Sequence, residues 1–394
     1  MKKILILGGS ILQVPIIKKA KEMDLEVIVA DYDQNAVGFK YADKIYIAST
    51  NDQEKIEDIV SVENPLAVIT AATDSPMKII ANIGEKYNLK TISYDAAVKS
   101  TDKYKMRSTF EMHNVPIPKY LLIENEDDYI NRIDEIKGNK IVKPIDSSGS
   151  RGIILVKEND NNLDNYYYAK SNSKSGNVLI EEQLVGNEIS VESITIDNIT
   201  HIIAITQKVT TGAPHFIEMG HYINANLDKE TEEKIIDITK KAICSLGISQ
   251  GPSHTEIMLT NDGPKIIEVG ARLGGDFISS HLVKYATEID LLKLHILQSI
   301  GEDIQSNFIK KPGGAAIKYF TSRKGLLKRV YIPKKIKNMK GFKEVKLTKE
   351  VNTHIEDIIS SNSRIGYIIC DGKTGIDAFE SCENIINKIE IDIE

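Results

Sequence analysis

The stretch PSHTEIMLTNDGPKIIEVGARLGGD, residues 252–276, contains two strand-like runs around a turn and ends beside paired glycines. The runs 255–260 and 264–269 are rich in apolar residues, and Asn-Asp-Gly separates them at 261–263. Short apolar runs on either side of a Gly-containing turn are typical of a β-hairpin. This stretch therefore predicts two antiparallel strands that lead into a glycine-rich loop.

The length of the hairpin loop determines which residues face each other. A three-residue loop with Gly263 in the left-handed conformation places Thr260 opposite Pro264, and in that register Glu256 lies opposite Glu268. Directly opposed carboxylates repel each other, with Cβ atoms about 5 Å apart. A divalent cation such as Mg²⁺, bound through both carboxylates and through phosphate oxygens, would neutralise the pair. The alternative is a solvated hairpin face on which salt screens the repulsion.

Three further features of this stretch suggest a ligand nearby. Arg272 follows Glu268 by four residues, and its planar guanidinium suits a developing phosphoryl charge. Gly274 and Gly275 allow a close approach of the backbone to a ligand. His254 lies two residues before Glu256 and so faces the same side of the strand, where it is a candidate for contact with a substrate. A surface arginine and a satisfied histidine are the alternatives.

Two earlier segments are candidates for nucleotide contacts. Lys143 ends a strand-like run, and the polar loop 144–152 that follows could wrap a phosphate with its backbone N–H groups. This loop is not a Walker A loop, because the lysine precedes the glycines and no helix follows; a plain polar turn is the alternative. The run 178–188 is a strand that leads into a linker, whose main chain could pair with adenine while Glu188 accepts from ribose hydroxyls.

The first hundred residues alternate strands and helices. Strands are predicted at 4–7, 27–30, 45–48, 67–70 and 91–93, with a helix after the first. Continuous apolar strands that alternate with helices indicate a parallel sheet covered on both faces, as in a Rossmann-like half-domain. The turn at 8–13 lacks the dinucleotide fingerprint, since Ser10 and Gln13 occupy two of its glycine positions. Both an anion site on this turn and a tight turn without a ligand remain open.

The composition excludes several classes of protein. The chain has 394 residues, of which 41% are hydrophobic and 27% charged, and its net charge is −6. These values predict two or three globular domains and exclude a disordered, fibrous or disulfide-rich protein. The three cysteines, Cys244, Cys370 and Cys382, form no CxxC pair, and no apolar run reaches 18 residues. We expect reduced thiols in a cytoplasmic protein that binds neither nucleic acid nor membrane.

The segment 323–349 is the most basic part of the chain. It holds eleven lysines and arginines against Glu344 as its one acidic residue. Tyr331 and Phe342 are too few to indicate stacking on RNA bases. A solvated face, a subunit or domain contact and an anion-binding surface all remain open for this segment.

In combination, these motifs resemble the ATP-grasp superfamily, and the resemblance covers nearly the whole chain. It is carried by Lys103, by Lys143-Pro144 with the loop behind it, by Glu181 to Leu184, by Glu188, and by the series Glu256, Glu268 and Arg272. Residues 252–256 and 268–275 are most similar to the L-amino acid ligase type of carboxylate–amine ligases. The chain is also similar to phosphoribosylglycinamide synthetase and to the large chain of carbamoyl-phosphate synthase.

The resemblance implies an ATP-grasp fold of mixed α/β and α+β class. It implies an N-terminal Rossmann-like (pre-ATP-grasp) domain at 1–100 and an ATP-grasp domain at 101–305. The lid subdomain of the latter would span about 115–185, and a small C-terminal domain would occupy 306–394.

The resemblance also implies roles for single residues. Lys103 and Lys143 would contact ATP phosphates, under a mobile loop that includes Ser147, Ser148, Gly149, Ser150 and Gly152. Glu181, Glu182 and Leu184 would meet adenine, the latter two through their main chain, and Glu188 would hold ribose. Glu256 and Glu268 would bind Mg²⁺, or Mn²⁺ in its place, and Arg272 would stabilise the charge of the transferring phosphate and of the acyl phosphate. With Arg272, His254 is the other catalytic candidate, from its place on the strand. His215 and Glu218, together with Gly274 and Gly275, would lie beside the acceptor, although a solvent-exposed role for His215 is the alternative.

The activity so implied is ATP-dependent ligation of a carboxylate to an amine through an acyl phosphate, on small, amino-acid-like substrates, in a possible homodimer. The alternatives are an enzyme like phosphoribosylamine–glycine ligase and a nucleotide-binding regulator without catalysis. One departure stands out. Many members of the superfamily have Asn two residues after the second metal glutamate, and here that position is Gly270. A side-chain metal ligand is therefore missing.

Overall fold

The fold is that of a computed structural model, which describes residues 2–147, 149, 151–213, 216–305, 308–321, 323–357 and 360–394. Within these ranges the chain forms a parallel sheet, two larger antiparallel sheets and a small three-stranded sheet. The predicted mixture of α/β and α+β architecture is confirmed.

The N-terminal part is a parallel sheet with helices around it. Its strands, in the spatial order β3-β2-β1-β4, are β1 (Lys3–Leu7), β2 (Glu26–Asp31), β3 (Lys44–Ile47) and β4 (Ala67–Ile69). Its helices are α1 (Val14–Glu22), α2 (Gln53–Glu63), α3 (Met77–Tyr87) and α4 (Tyr94–Thr101), with a 3₁₀ turn at Val37–Tyr41. The strand predicted at 91–93 is wrong. Only a short connection separates α3 from α4 there, and Ser93 already serves as the N-cap of α4.

The turn after β1 is closed by its own side chains. Gly9 N–H donates to Asp31 Oδ2 at 2.6 Å, and Ser10 N–H donates to Gln13 Oε1 at 3.0 Å. Gly8, with φ of +105°, donates its N–H to Ala30 O. The N–H groups that an anion would need are thus already bonded. Of the two interpretations left open by the sequence, the structure favours the tight turn without a ligand.

A four-stranded antiparallel sheet lies within the range predicted for the lid subdomain and is called the lid sheet below. Its strands, in the order β5-β8-β6-β7, are β5 (Tyr120–Ile123), β6 (Lys140–Pro144), β7 (Ile154–Val156) and β8 (Val178–Glu182). The helices of this region are α5 (Lys103–Met112), α6 (Glu126–Arg132) and α7 (Leu163–Ser171), and a 3₁₀ turn spans Ile133–Glu135. Apolar residues from one face of this sheet pack with α6 and α7 in a core of their own.

An eight-stranded antiparallel sheet is the centre of the molecule. Its order is β13-β12-β9-β10-β11-β14-β18-β16. The strands are β9 (Asn187–Ile196), β10 (Ile199–Thr210), β11 (Glu218–Ile223), β12 (Gly251–Thr260), β13 (Gly263–Gly270), β14 (Gly314–Tyr319), β16 (Phe342–Leu347) and β18 (Gly366–Gly372). The strands after residue 306 therefore extend the same sheet that holds the β12–β13 hairpin.

The remaining elements surround this sheet. The small sheet, in the order β17-β15-β19, contains β15 (Gly325–Tyr331), β17 (His354–Ile355) and β19 (Glu390–Ile393). The helices are α8 (Lys229–Ser245), α9 (Val283–Thr287), α10 (Leu291–Ser299) and α11 (Gly375–Ile386). A π-helical turn at Ile278–Leu282 leads into α9, and 3₁₀ turns lie at Lys334–Asn338 and Ser361–Ser363. In the part of the chain that the structure describes, no helix is long and apolar enough to cross a membrane.

Strand β1 shows how the N-terminal part joins the rest. Leu5 and Leu7 lie in a core cluster that also contains Val269 of β13, whereas Ile4 and Ile6 lie in a second cluster on the other face of the sheet. Alternate residues of a strand point to opposite faces, so both faces of the parallel sheet are covered. Because one of these clusters reaches β13, packing of the N-terminal sheet bears directly on the position of the hairpin.

A substitution at Gly84 would test how tightly α3 packs. A Cβ atom at this position would lie 1.8 Å from Thr91 Oγ1. Helix propensity alone predicts that Gly84→Ala stabilises the protein by about 0.5–1 kcal/mol. We expect the steric term to dominate and the free energy of unfolding to fall by about 1–3 kcal/mol in urea denaturation.

The exposed Asn82 in the same helix provides the control, since Asn82→Ala changes helix propensity without this contact. The double substitution Gly84→Ala/Thr91→Ala, which shortens the side chain that the new Cβ would meet, should recover part of the lost free energy of unfolding. A gain in stability for Gly84→Ala would contradict the packing described here.

Candidate active site

A cavity of about 220 Å³ lies between the lid sheet, the central sheet and the loop that follows β4. One end is apolar and is lined by Ile141, Ile153, Leu184, Met258 and Ile267. The other end is charged and is lined by Asp74, Lys103, Lys143, Glu188, Lys208, Glu218, His254, Glu256, Glu268 and Arg272. An apolar slot that opens into a cluster of charges matches the two ends of a nucleotide.

The two predicted metal carboxylates face each other across β12 and β13. Glu256 pairs with Glu268, as the sequence predicted. The predicted loop is wrong, however, because Thr260 faces Gly263 and the turn has two residues rather than three. A β-bulge shifts the register between Glu256 and Ile257 and restores the carboxylate pair. The extra residue is Ile267, whose carbonyl accepts from Arg107 Nη2 at 2.6 Å.

Lys208 of β10 neutralises one of these carboxylates. Its Nζ lies 3.0 Å from Glu256 Oε1 and 3.5 Å from Glu218 Oε1, and it also contacts Glu188. Burial opposes a charge on Lys208, but the three carboxylates hold its pKa well above the usual value. Desolvation would raise the pKa of the half-buried Glu256, but the lysine and His254 keep it well below its usual range. Sequence reasoning missed Lys208, although a single charged residue inside the apolar run of β10 was a signal.

Lys103 neutralises the other carboxylate. It is the first residue of α5, where Asp102 caps the helix, and its Nζ donates to Glu268 Oε1 at 3.1 Å and to Ser147 O at 2.8 Å. Among the described residues, no group of three or more histidine, cysteine or acidic side chains is arranged to hold a metal. Glu256 and Glu268 therefore fit a cation that brings phosphate oxygens and water with it, not a metal held by protein ligands alone.

Lys143 and Glu181 form a buried ion pair beside the cavity. Lys143 Nζ donates to Glu181 Oε2 at 2.6 Å, and Arg107 Nε donates to Glu181 Oε1 at 2.7 Å. Burial and the neighbouring cations lower the pKa of Lys143, an effect that Glu181 opposes. The Glu181 carboxylate, for which the family resemblance implies an adenine contact, is thus bound to two cations in this structure. Arg107 was not singled out from the sequence.

The segment that joins the lid to the central sheet lies at the apolar end of the cavity. Glu182 N–H donates to Lys119 O, and its carboxylate accepts from Lys265 Nζ at 2.9 Å. Leu184 lines the cavity directly. Glu188, at the start of β9, faces Lys208 instead.

The loop behind Lys143 covers the charged end in part. Its Ser147 carbonyl is bonded to Lys103, and Gly149 and Gly152 have φ of +66° and +75°. A Cβ at Gly149 would meet no atom within 4 Å, so this part of the loop is open. Ser148 and Ser150, which were also predicted to contact phosphate, lie outside the described residues.

Arg272 is held from the N-terminal part of the chain. Its Nε donates to Asp74 Oδ1 at 3.0 Å, and its Nη2 donates to Asp74 Oδ2 at 2.9 Å. Asp74 lies in the loop after β4 and was not predicted as a site residue. The sequence holds no local signal for this pair, since the two residues are separated by 198 positions.

His254 belongs to a buried network on the same face as the metal carboxylates. Its Nδ1 lies 2.5 Å from Glu192 Oε1, and its Nε2 lies 3.6 Å from Glu256 Oε1. Burial favours the neutral imidazole, but the two carboxylates outweigh it and raise the pKa of His254 to about 9. Ser279 Oγ donates to Glu192 Oε2 and accepts from Gly274 N–H, which ties the glycine loop to β9.

The predicted acceptor residues are only partly brought together. Glu218 lines the cavity and accepts from Ser361 Oγ at 3.2 Å. His221 lies behind it, with Nε2 at 3.2 Å from Asp276 Oδ2. Arg364, from the C-terminal part, donates to Asp276 through Nη1 at 2.6 Å and Nη2 at 2.7 Å. His215, another of the predicted acceptor residues, lies outside the described residues.

Two family models match this chain. Residues 136–280 match the ATP-grasp domain, and residues 318–394 match the L-amino acid ligase C-terminal domain 2. The resemblance noted from the sequence motifs is thereby confirmed.

Curated relatives support the same assignment. Alanine–anticapsin ligase of Bacillus subtilis (strain 168) is 29% identical over 274 residues, which cover 62% of this chain and 58% of that protein. Phosphoribosylamine–glycine ligase of Methanobrevibacter smithii is 28% identical over 261 residues, which cover 59% of each chain. The chain thus spans slightly less than three fifths of the length of these curated relatives.

A solved structure confirms the fold. The L-amino acid ligase from Bacillus licheniformis superposes with a TM-score of 0.86 at 21% identity, over 100% of this chain and 99% of that one. The predicted ATP-grasp fold is therefore confirmed along the full length of the chain.

The two glycines of the loop offer a matched test of the His254 network. A Cβ at Gly274 would lie 2.7 Å from both Glu192 Oε2 and His254 Nδ1, whereas a Cβ at Gly275 would lie no closer than 3.7 Å to Ala72 Cβ. We expect Gly274→Ala to lower the free energy of unfolding of the metal-free protein by about 1–3 kcal/mol. Gly275→Ala should change it little.

An NMR titration of the histidine side chains provides the second measurement. Because Gly274→Ala displaces Glu192 from the imidazole, the pKa of His254 should fall from about 9 towards the usual value. An unchanged pKa, or equal destabilisation by both substitutions, would show that Gly274 is not needed for this network.

Proposed function

We propose that this chain, which carries an ATP-grasp domain followed by an L-amino acid ligase C-terminal domain, is an ATP-dependent ligase that joins a carboxylate to an amine. The observation that carries the proposal is the charged end of the cavity. There the Glu256–Glu268 pair, Arg272, Lys103 and Lys143 line one space next to an apolar slot. Phosphoryl transfer to a carboxylate depends mainly on positioning and charge neutralisation, and these residues are of the types that supply both.

The nucleotide half of the site is proposed to work as follows. Lys103 and Lys143 bind the phosphates of ATP, and the apolar slot around Leu184 takes adenine. Glu256 and Glu268 hold Mg²⁺, which ATP-grasp enzymes generally use with ATP and which neutralises phosphate charge when bound. Because Gly270 offers no side chain, phosphate and water complete the metal's coordination to a larger extent than in relatives with Asn at that position.

The acceptor half uses the other cations and carboxylates. Arg272 neutralises the charge that develops as a substrate carboxylate attacks the γ-phosphoryl group and ADP leaves. The resulting acyl phosphate is attacked by an amine, the C–N bond forms, and phosphate leaves. Glu218 lines the same cavity and can accept from a substrate ammonium group, while protonated His254 stays close to Glu256. The similarity to alanine–anticapsin ligase supports amino-acid-like substrates.

The finer assignments belong to the same proposal. Mn²⁺ is expected to replace Mg²⁺, since both prefer oxygen ligands. The free thiols of Cys244, Cys370 and Cys382 support a cytoplasmic enzyme. A phosphoribosylamine–glycine ligase activity is the second candidate, and the similarity to that enzyme from Methanobrevibacter smithii favours it.

The test is ADP release with Mg²⁺-ATP over pairwise mixtures of amino acids, with products identified by mass spectrometry. Phosphoribosylamine with glycine forms a separate arm. We expect turnover with at least one amino-acid pair. Glu268→Gln and Arg272→Ala should each lower it by about 10²-fold or more, since each removes a charge that faces the transferring group.

Asp262→Asn provides the matched control, because Asp262 is an exposed acidic residue at the turn of the same hairpin. Circular dichroism should show that all three variants remain folded. Turnover only with phosphoribosylamine and glycine would select the second candidate. ATP binding without turnover in any mixture, or wild-type turnover by Glu268→Gln, would overturn the ligase assignment.

A further inference from the structure

Asp74 was not predicted as a site residue, yet it contacts Arg272 directly. It belongs to the N-terminal part of the chain, yet it lines the same cavity as Glu268. Its side chain is 14% exposed and that of Arg272 is 15% exposed, so the two groups meet largely out of solvent. An ion pair so shielded, with two parallel hydrogen bonds, is stronger and more directional than a surface pair.

Gly270 makes room for this carboxylate. A Cβ atom at position 270 would lie 2.9 Å from Asp74 Oδ1 and 3.1 Å from Arg272 Cζ. Carbon atoms do not approach polar side chains so closely without displacing them, so the ion pair occupies space that a larger residue at 270 would need. The departure from the Asn found in many superfamily members is therefore matched by an acidic group that enters from another part of the chain.

The geometry of the pair leaves part of Arg272 available. A guanidinium carries five N–H bonds. Asp74 uses the Nε–H and one Nη2–H, and Nη1 directs one bond to Leu273 O at 3.4 Å. Among the described residues, no partner is found for the other two N–H bonds, one on Nη1 and one on Nη2.

The loop that carries Asp74 is fixed at its base. Ala72 N–H donates to Leu273 O at 3.1 Å, directly beside Arg272, and Ala72 has a left-handed φ of +59°. Gln13 Nε2 donates to Ala71 O at 2.5 Å from the turn after β1. The position of the Asp74 carboxylate is thus determined by the N-terminal sheet and by the loop that it contacts.

We propose that Asp74 is a positioning residue of the active site, which occupies the space left by Gly270 and holds one edge of the Arg272 guanidinium so that the opposite edge meets the transferring phosphoryl group. The proposal rests on the proposed function for the reaction itself. The N-terminal part of the chain would then take part in catalysis by holding Arg272 in position.

The first experiment separates turnover from binding. We expect Asp74→Asn, which keeps the shape but removes the charge, to lower kcat by about 10-fold to 10²-fold, because the arginine loses its orientation. The dissociation constant of a non-hydrolysable ATP analogue with Mg²⁺, measured by calorimetry, should stay within about twofold, since Lys103 and Lys143, and not Asp74, are proposed to hold the nucleotide. Asp74→Glu should recover part of kcat.

Asp43→Asn is the matched control. Asp43 lies in the same N-terminal part and pairs with Lys21 at 2.5 Å, but it does not line the cavity. It should leave kcat unchanged. A merely structural role of Asp74 would lower thermal stability and nucleotide affinity along with kcat, and that result would overturn the proposal, as would wild-type or increased turnover of Asp74→Asn.

A double-mutant cycle tests the shared space. Gly270→Ala should lower kcat by itself, because its Cβ displaces the Asp74–Arg272 pair. Once the pair is already lost, in Asp74→Ala, the same substitution should cost little more. Additive effects of the two substitutions would contradict the assignment of this space to Asp74.

A readout without turnover keeps this proposal separate from the proposed ligase activity. The Nε–H of Arg272 should give a protected ¹⁵N resonance, assigned by its loss in Arg272→Lys. We expect Asp74→Asn to remove this protection and Asp43→Asn to retain it. If the wild-type chain releases no ADP in any mixture but this pattern holds, the ligase assignment fails while the positioning contact stands. If protection persists in Asp74→Asn, the positioning proposal fails whatever the substrate.

Discussion

Glu256 and Glu268 face each other across β12 and β13, and the rest of the site depends on this constraint. Two carboxylates side by side on adjacent strands repel each other strongly when water is largely excluded, so each needs a cation close to it. Lys208 reaches Glu256 from β10, and Lys103 reaches Glu268 from the start of α5. These cations come from distant parts of the sequence. The carboxylate pair is therefore tolerated only after the central sheet and the helix that leads into the lid have assembled.

The N-terminal sheet serves this site by contact, and no nucleotide-binding turn of its own is needed for that. In the turn after β1, Gln13 Oε1 accepts from Ser10 N–H, and Gln13 Nε2 donates to Ala71 O in the loop after β4. That loop then meets the backbone at Leu273 and brings Asp74 to Arg272. Under the proposed function, the parallel sheet would contribute to phosphate chemistry through its contact with Arg272, although its own turn after β1 is closed.

The sequence was informative where chemistry depends on local spacing and uninformative where it depends on long-range pairing. The parallel sheet and the existence of the hairpin follow from periodicity and turn residues, whereas the carboxylate pair was predicted with the wrong loop length and is present because a bulge compensates for it. The bulge at Ile267 does not follow from these signals, because its carbonyl is bonded by Arg107, which lies 160 positions earlier. Asp74 was missed for the same reason. Lys208 was predictable in principle, since a lysine inside an apolar strand must find buried carboxylates, but the sequence does not say which ones.

The charges that line the cavity nearly cancel. Six cations, with His254 protonated, stand against seven carboxylates; the cations are Lys103, Lys143, Arg151, Lys208, His254 and Arg272, and the carboxylates are Asp74, Glu181, Glu182, Glu188, Glu218, Glu256 and Glu268. A cavity lined by nearly equal numbers of cations and carboxylates does not attract a polyanion by an excess of positive charge. Under the proposed function, Glu256 and Glu268 would hold a divalent cation in place of their contacts with Lys208 and Lys103, and Lys103 would then be available to the phosphates. Metal and nucleotide would then favour each other's binding. The metal would replace the lysine beside each carboxylate, and the phosphates would provide a new partner for Lys103. The net charge of −6 is consequently no guide to this ligand. What matters is which lysine–carboxylate ion pairs in the cavity can give way to metal and phosphate.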